Sequence, residues 1–313
     1  MNWKNEKVIV TGGAGVIGRV LIEKLAKRGA KVGCFDIVSR LGHIHPEVEY
    51  CQLELVDVKP KKFIAFRPKI IFHLAATFER TGETTEFWEV NFKNNIQLTH
   101  KVISVANNCQ DLQKFVFASS YLVYSPALYL NQEPPSKAIK LEEENLKNPR
   151  NLCGAAKYYA EKELEYIEQF KECAFKSISA RIFRVYGCGS KDVISRWVRA
   201  GLRGEAIEVF RGDNSFDYIF ADDVAEGLIR LAEIKDAHGP VNLGSGVSRK
   251  IAEVVKIIQR ETPNLRVKEV KRDGLFEASC ADLSKLSYLT GWQPQIRLEQ
   301  GIKKIVDDES KSL

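Results

Sequence analysis

Apolar residues fall in compact, strand-length runs along the first part of the chain: KVIVT at 7–11, KVGCFD at 31–36, VEYCQLE at 48–54, KIIFHLA at 69–75 and KFVFASS at 114–120. Both faces of these runs are apolar. Helical patterns lie between several of them, among them GRVLIEKLAKRG after the first run and NFKNNIQLTHKVISVANNC at 91–109. Strand–helix alternation with strands buried on both faces predicts an α/β fold: a Rossmann-type, doubly wound parallel sheet with helices on both faces. The expected division is a dinucleotide-binding domain over 1–182 and a smaller α/β substrate lobe over 183–313, with interleaved boundaries. The charged, proline-bearing stretch at 125–150 interrupts the alternation and reads as a surface loop over the active-site edge.

The strongest local signal is the glycine-rich turn in VIVTGGAGVIGRVLIEKL, which places Gly12, Gly15 and Gly18 between a strand and a helix, with Val16 and Ile17 completing the turn. Gly12 permits the tight turn, Gly15 lets backbone amides approach a pyrophosphate, and Gly18 lets helix and strand pack closely. Asp36 ends the next strand, 18 residues beyond Gly18. A carboxylate there accepts adenosine ribose hydroxyls and repels a 2′-phosphate, which favours NAD over NADP. Arg40 keeps NADP open as the lesser alternative.

Composition narrows the class. The 313 residues carry a net charge of +6 with no block of like charges, which suits an anionic small molecule and argues against nucleic acid. The seven cysteines (34, 51, 109, 153, 173, 188 and 280) are odd in number and form no CxxC pair, so reduced thiols and no metal are expected. A strand beginning at residue 7 leaves no room for a signal peptide, and no apolar run reaches membrane-spanning length. A cytoplasmic protein without membrane contact is the expectation.

Taken in order, these segments resemble the extended short-chain dehydrogenase/reductases, in particular the NAD-dependent sugar-nucleotide epimerase/dehydratase family. TGGAGVIG resembles that family's cofactor turn. Glu54 and Leu55 in LELVD fall where it has an aspartate near the adenine, and His73-Leu74-Ala75-Ala76 resembles the strand end under the nicotinamide ribose. Asn91 matches the asparagine that follows, and FVFASSYLVYS resembles the strand carrying the active-site serine, here Ser120. ARIFRVYG, FDYIFADDVAEGL, VNLGSG and LTGWQPQIRLEQGIKKIV resemble the substrate-lobe signatures. The resemblance implies NAD as cofactor, a nucleotide-linked sugar as substrate, and a homodimer through helices at 154–171 and 92–107.

One departure falls at the centre of the chemistry. The resemblance implies a tyrosine and a lysine one helical turn apart, the lysine holding the nicotinamide ribose and lowering the tyrosine's pKa. CGAAK keeps the glycine, Lys157 and, four residues on, Glu161, but puts Cys153 in the tyrosine's place. The literal YxxxK pair, Tyr158 and Lys162, sits five residues along and faces roughly 140° away from that helix side. A thiol is acidic enough for the task but shorter than a phenol. Three readings stay open: Cys153 acts as base through an ordered water, another residue has taken the role, or the oxidation is lost. Tyr121, after Ser120, is the candidate replacement, although strand alternation turns it to the other face. Glu79 is a further candidate beside the substrate.

On the substrate side, Phe216 occupies the place where the family has a phosphate-binding arginine, Arg184 stands where an asparagine is usual, and Arg272 matches a second phosphate-binding arginine. Arg196, Arg199 and Arg203 share a helix face. Tyr121 and Leu122 replace the carboxylates of the family's 4,6-dehydratases. Two functions are therefore carried forward. One is an enzyme that epimerises, atypically dehydrates or oxidises a nucleotide sugar; the other is a non-catalytic NAD-binding sensor or partner protein.

Overall fold

The computed structural model describes residues 1–312 apart from Leu41, His43, 79–82, Ala174 and Arg272, with the backbone alone at Pro60 and Ser312. The chain opens with β1 (Lys7–Thr11), α1 (Val16–Lys27), β2 (Lys31–Asp36), β3 (Glu49–Gln52), α2 (Pro60–Phe66) and β4 (Ile70–His73). In α1, Gly18, Leu21, Ile22 and Leu25 form one buried stripe at helical spacing, and Lys24 and Lys27 in the last turn complement the helix dipole. β3 is shorter than the expected 48–54, because the chain leaves it after Gln52 and enters a 3-10 turn at Leu55–Asp57.

The next helix starts earlier than the apolar pattern at 91–109 indicates. Thr84 caps α3 (Thr85–Asn91), which runs through a π-helical segment at Phe92–Gln97 into α4 (Leu98–Ala106). β5 (Lys114–Ser120) follows. The stretch at 125–150 departs from the expected surface loop. It contains β6 (Leu130–Asn131) and β7 (Ile139–Leu141), and its Tyr129 and Leu141 are fully buried. Tyr129 and Leu141 anchor to the core a segment that otherwise stays largely at the surface.

Asn151 caps α5 (Leu152–Ile167), its side chain accepting from the Gly154 amide at 2.8 Å, and Glu83 accepts from the Leu152 amide at 2.9 Å. β8 (Lys176–Ile182), β9 (Arg184–Tyr186), α6 (Val193–Leu202), β10 (Ala206–Phe210), β11 (Ser215–Phe220) and α7 (Ala221–Glu233) come next. The chain ends with β12 (Gly239–Leu243), β13 (Ser248–Lys250), α8 (Ile251–Glu261), β14 (Arg266–Val270), β15 (Phe276–Glu277), β16 (Ser279–Ala281), α9 (Ser284–Thr290) and α10 (Leu298–Glu309).

Seven parallel strands form the main sheet in the order β12-β8-β5-β4-β1-β2-β3. The chain winds from β1 toward β3 on one side and from β4 toward β12 on the other, so the direction reverses between β1 and β4. That switch point opens a crevice at the carboxyl edge of the sheet. One face is covered by a core that includes Leu21, Leu25, Val224 and Leu228 from α1 and α7; the other by Phe63, Val102, Ile103, Ala160 and Leu164 from α2, α4 and α5. A separate apolar core fills the lobe built on the β9–β11–β13 sheet and α6, α8 and α10. β6 pairs with β15, and β7 with β16, tying the 125–150 segment to that lobe.

Candidate functional site

At the switch point lies a cavity of about 400 Å³. Gly12, Ala14 and Gly15 line it from the glycine turn, Asp36, Glu54 and Leu55 from one flank, and Leu74, Ala75 and Ala76 from the end of β4. Glycine is required at two of these turn positions. Gly12 has φ +72°, and a Cβ there would lie 2.7 Å from the Ala75 amide nitrogen; a Cβ on Gly18 would lie 2.3 Å from the Gly12 carbonyl oxygen. Gly18, with Val16 and Ile17, thus stands behind the turn and holds α1 against β1.

Asp36 is buried and both its carboxylate oxygens are engaged. One accepts from the Ala14 amide at 2.8 Å and the other from the Val38 amide at 3.0 Å. The side chain anchors the glycine turn while keeping lone pairs toward the cavity. Beside it Ile37 and Val38, which also line the cavity, are 61% and 45% exposed, an apolar flank shaped for a flat aromatic base. Sequence reading missed both, together with Thr77 and Asn94 on the opposite wall; two apolar residues directly after the strand-ending carboxylate were the available signal. Glu54 pairs at the surface with Lys93 at 3.2 Å. Arg40 donates to the carbonyls of His45, Pro46 and Val48 and so closes its own loop. These are the residues that could hold a dinucleotide, and their shape and donor set fit one.

At the end of β5, Ser120 Oγ accepts from the Leu122 amide at 3.2 Å and caps a 3-10 turn at Tyr121–Val123. A Cβ on Gly154 would lie 2.5 Å from the Leu122 carbonyl oxygen, so only glycine lets α5 come this close to that turn. Cys153, Lys157 and Glu161 follow at one-turn intervals along α5. Cys153 is buried with Sγ 3.8 Å from the Thr77 carbonyl oxygen, which brings it to the cavity wall. The Lys157 ammonium sits 4.7 Å from the Phe117 ring centroid. Among the described residues it has no carboxylate partner, and burial lowers its pKa to about 8, with Cys153 acting in the opposite sense. His73 is fully buried between Thr11 Oγ1 (2.7 Å) and Thr99 Oγ1 (3.0 Å), and desolvation together with Lys157 lowers it to about 3. It is a neutral core histidine.

Asn91, expected at the cofactor, faces the interior. It is 2% exposed and its Oδ1 accepts from Asn95 Nδ2 at 2.7 Å, while Asn95 bonds both the amide and the carbonyl of Thr77. Tyr121 is turned away from the role of base. It is buried against Phe183, its hydroxyl donates to Glu277 Oε1 at 3.1 Å, and burial pushes the phenol well above its usual range. Tyr158 is half-buried and Lys162 pairs with Glu165 at 2.6 Å, so that pair takes no part in the crevice.

The two departures on the substrate side meet: the Arg184 guanidinium lies 3.7 Å from the centroid of the Phe216 ring. Neither Glu277 nor Arg150, both in contact with this group, stood out in the sequence, since each belongs to a short segment without periodicity. In the arginine stripe of α6, Arg199 is tied to Glu309 at 2.6 Å and to the Ser190 carbonyl at 2.8 Å, and Arg203 lies 3.9 Å from Glu205. Glu79 and Arg272 lie outside the described residues. Among the described residues no helix is long and apolar enough to cross a membrane.

The family model described as "NAD dependent epimerase/dehydratase family" matches residues 8–244. The UDP-glucose 4-epimerase of Mycolicibacterium smegmatis is 28% identical, with the match covering 96% of this chain and 97% of that protein. Among solved structures, UDP-N-acetylglucosamine 4-epimerase from Methanobrevibacter ruminantium in complex with UDP-N-acetylmuramic acid has a TM-score of 0.86 at 25% identity over 99% of this chain and 100% of that one. A Thermus thermophilus UDP-glucose 4-epimerase in complex with NAD shares the fold, with a TM-score of 0.85 at 24% identity over 98% of this chain and 99% of that one.

The buried ammonium of Lys157 generates a pH signature. With its pKa lowered to about 8, the folded protein loses this proton before the unfolded chain, whose lysines titrate near ~10.4. Between those values the unfolded state binds more protons, so this group makes the cofactor-free protein more stable as pH rises through the window. Urea unfolding at a series of pH values should show wild type gaining on Lys157→Met from about pH 8 to ~10.4. A difference independent of pH would show that the amine is solvated.

Proposed function

Because the chain belongs to the NAD-dependent epimerase/dehydratase family, we propose that it holds NAD across the switch-point crevice and changes the stereochemistry of a nucleotide-linked sugar by transient oxidation of a ring carbon. The glycine turn receives the pyrophosphate, Asp36 the adenosine ribose, and Ile37 and Val38 the adenine; Leu74, Ala75 and Ala76 lie under the nicotinamide half. What supports the reading is the face of α5, where Lys157 presents an ammonium with no carboxylate partner among the described residues, one turn from Cys153, which itself reaches the cavity wall at Thr77.

Bound NAD supplies the hydride acceptor and, on return, the donor. The residues of the chain handle the proton and the orientation. Lys157 donates to the nicotinamide ribose and puts positive charge beside the residue at 153, favouring a thiolate. Ser120 donates to the sugar hydroxyl that is being oxidised. Cys153 Sγ stops short of that oxygen, and one bridging water carries the proton from the hydroxyl to the sulfur, then back when the sugar is reduced on its other face. Arg184 and Arg272 serve the substrate's anionic part, with Glu79 beside the sugar. A non-catalytic NAD-binding role would share the first half of this description and lack the second.

We include a homodimer in the reading. Trp88 and Phe92, on one face, and Tyr159 and Tyr166, on the adjacent α5, are between 50% and 63% exposed. Four large aromatics on two packed helices are more apolar surface than a monomer ordinarily leaves in water. Tyr159→Glu should halve the mass measured by light scattering, and an unchanged mass would remove this surface from the interface.

Turnover tests the chemistry. Purified protein incubated with UDP-glucose, UDP-galactose and their N-acetylated counterparts should interconvert at least one 4-epimer pair with no net NADH absorbance. Cys153→Ala should lower kcat roughly 10²-fold or more while NAD content stays at the wild-type level. Undiminished turnover in Cys153→Ala would take the thiol out of proton transfer, and absence of product with every sugar would favour the non-catalytic role.

A further inference from the structure

A strand inside a parallel sheet is ordinarily apolar on both faces, and β8 is not. Ile178, Ala180 and Ile182 join the core on one side, while Ser177, Ser179 and Arg181 alternate with them on the other. That second face is the floor of a cavity of about 600 Å³, larger than the one at the switch point. α5 walls it on one side; the segment around residues 143–147 and the start of the edge strand β12 wall it on the other. Tyr158 and Lys162, the pair that takes no part in the crevice, line this cavity instead.

Apart from His238, the charged lining is four lysines and one arginine against five glutamates. Balanced charge gives neither an anion nor a cation a net field to follow. Three pairs are closed: Arg181 with Glu161 at 2.7 Å, Lys162 with Glu165 at 2.6 Å and Lys176 with Glu168 at 3.8 Å. Lys285 donates to the Pro240 carbonyl at 2.7 Å, and Glu143 Oε1 accepts from the Asn242 amide at 2.8 Å. Among the described residues, however, the Lys147 ammonium, the Ser179 hydroxyl and Glu143 Oε2 have no hydrogen-bond partner. Ser179 and Glu143 are 3% and 6% exposed, so these are interior groups opening into the cavity. Lys147 is half-buried, and desolvation and Arg181 lower its pKa more than Glu144 and Glu161 raise it.

The unmet groups define the ligand. An ammonium donates, a carboxylate oxygen accepts, and a serine hydroxyl does both. A phosphate or carboxylate would serve Lys147 and confront Glu143 as a like charge; an amine would serve Glu143 and confront Lys147. Hydroxyl groups, which donate and accept, serve all three without adding charge. Tyr158 supplies a half-buried ring in the wall, an apolar surface on which the C–H face of a sugar can pack. The volume falls in the range of small-molecule sites.

We propose that the cavity over β8 is a second binding site, for a neutral polyhydroxyl ligand, a saccharide unit, held by Lys147, Ser179 and Glu143. It shares no lining residue with the switch-point cavity, so it stands independently of what binds there. Lys147 donates to a ring or hydroxyl oxygen, Glu143 Oε2 accepts from a hydroxyl, and Ser179 completes the set from the floor.

Calorimetric titration of the full-length protein and of its Ser179→Ala and Lys147→Met variants tests this. The probes are glucose, N-acetylglucosamine and maltose, with inorganic phosphate and putrescine as charged controls and NAD as the reference ligand. At least one saccharide should bind, and each variant should weaken it roughly 5- to 10-fold while NAD affinity stays unchanged. Saccharide binding equal in all three proteins would put the ligand elsewhere and overturn the site. Binding of phosphate or putrescine without any saccharide would overturn the ligand class, and silence with every probe would overturn both. A loss shared with NAD would mark a structural role for these residues and also count against the site. Lys147→Met, at a half-buried position, keeps the comparison available if Ser179→Ala does not fold.

Discussion

The carboxylate of Glu161 lies in the interior with both oxygens occupied. Oε1 accepts from Ser119 Oγ at 2.5 Å and from Arg181 Nε at 3.0 Å, and Oε2 accepts from Arg181 Nη2 at 2.7 Å. Arg181 is 2% exposed, and its remaining donors go to the Tyr124 hydroxyl and the Glu143 carbonyl. This one pair joins α5 to β5 through Ser119 and to β8 through Arg181. Taking either partner away would strand a buried charge, an effect on the order of 3–5 kcal/mol. Because Lys157 and Cys153 lie one and two turns back along the same helix face, the fastening at Glu161 fixes where they stand relative to the crevice.

The crevice depends on a second constraint, the closeness of backbone to backbone. Gly12 against Ala75, Gly18 against the Gly12 carbonyl and Gly154 against the Leu122 carbonyl are approaches that a Cβ would prevent. The first two shape the floor of the cavity; the third brings the helix bearing Lys157 onto the end of the strand bearing Ser120. With the backbone set this way, the loss of a phenol at 153 leaves the frame intact and shortens one side chain. In the proposed function, chemistry at that position turns on reach rather than on a rearranged site.

Much of this was legible in the amino-acid sequence, for physical reasons that can be named. β1, β2 and β5 are buried on both faces and β4 throughout, so their apolar runs mark them directly, and the glycine turn sits between a strand and a helix where backbone geometry demands it. The two short strands inside 125–150 were not legible, because β6 and β7 are held by pairing with β15 and β16, more than a hundred residues away. The start of α3 at Thr85 was hidden for a related reason: Trp88, Val90 and Phe92 are exposed, which blurs the apolar period. Tyr121 looked available as a base because strand alternation speaks only of direction. Its hydroxyl is committed to Glu277, a partner that no local pattern could have indicated. The Arg184–Phe216 contact likewise joins positions on neighbouring strands β9 and β11, and appears in the sequence only as two separate departures from a family pattern.

The proposed function requires Lys157 to grip a dinucleotide lying over the switch point between β1 and β4. A crystal structure of the protein with NAD addresses it most directly. The predicted result is the pyrophosphate at the amides after Gly12, the adenine against Ile37 and Val38, and Lys157 Nζ within hydrogen-bond distance of the nicotinamide ribose hydroxyls. A dinucleotide bound elsewhere, or bound here with that amine directed away from the ribose, would contradict it.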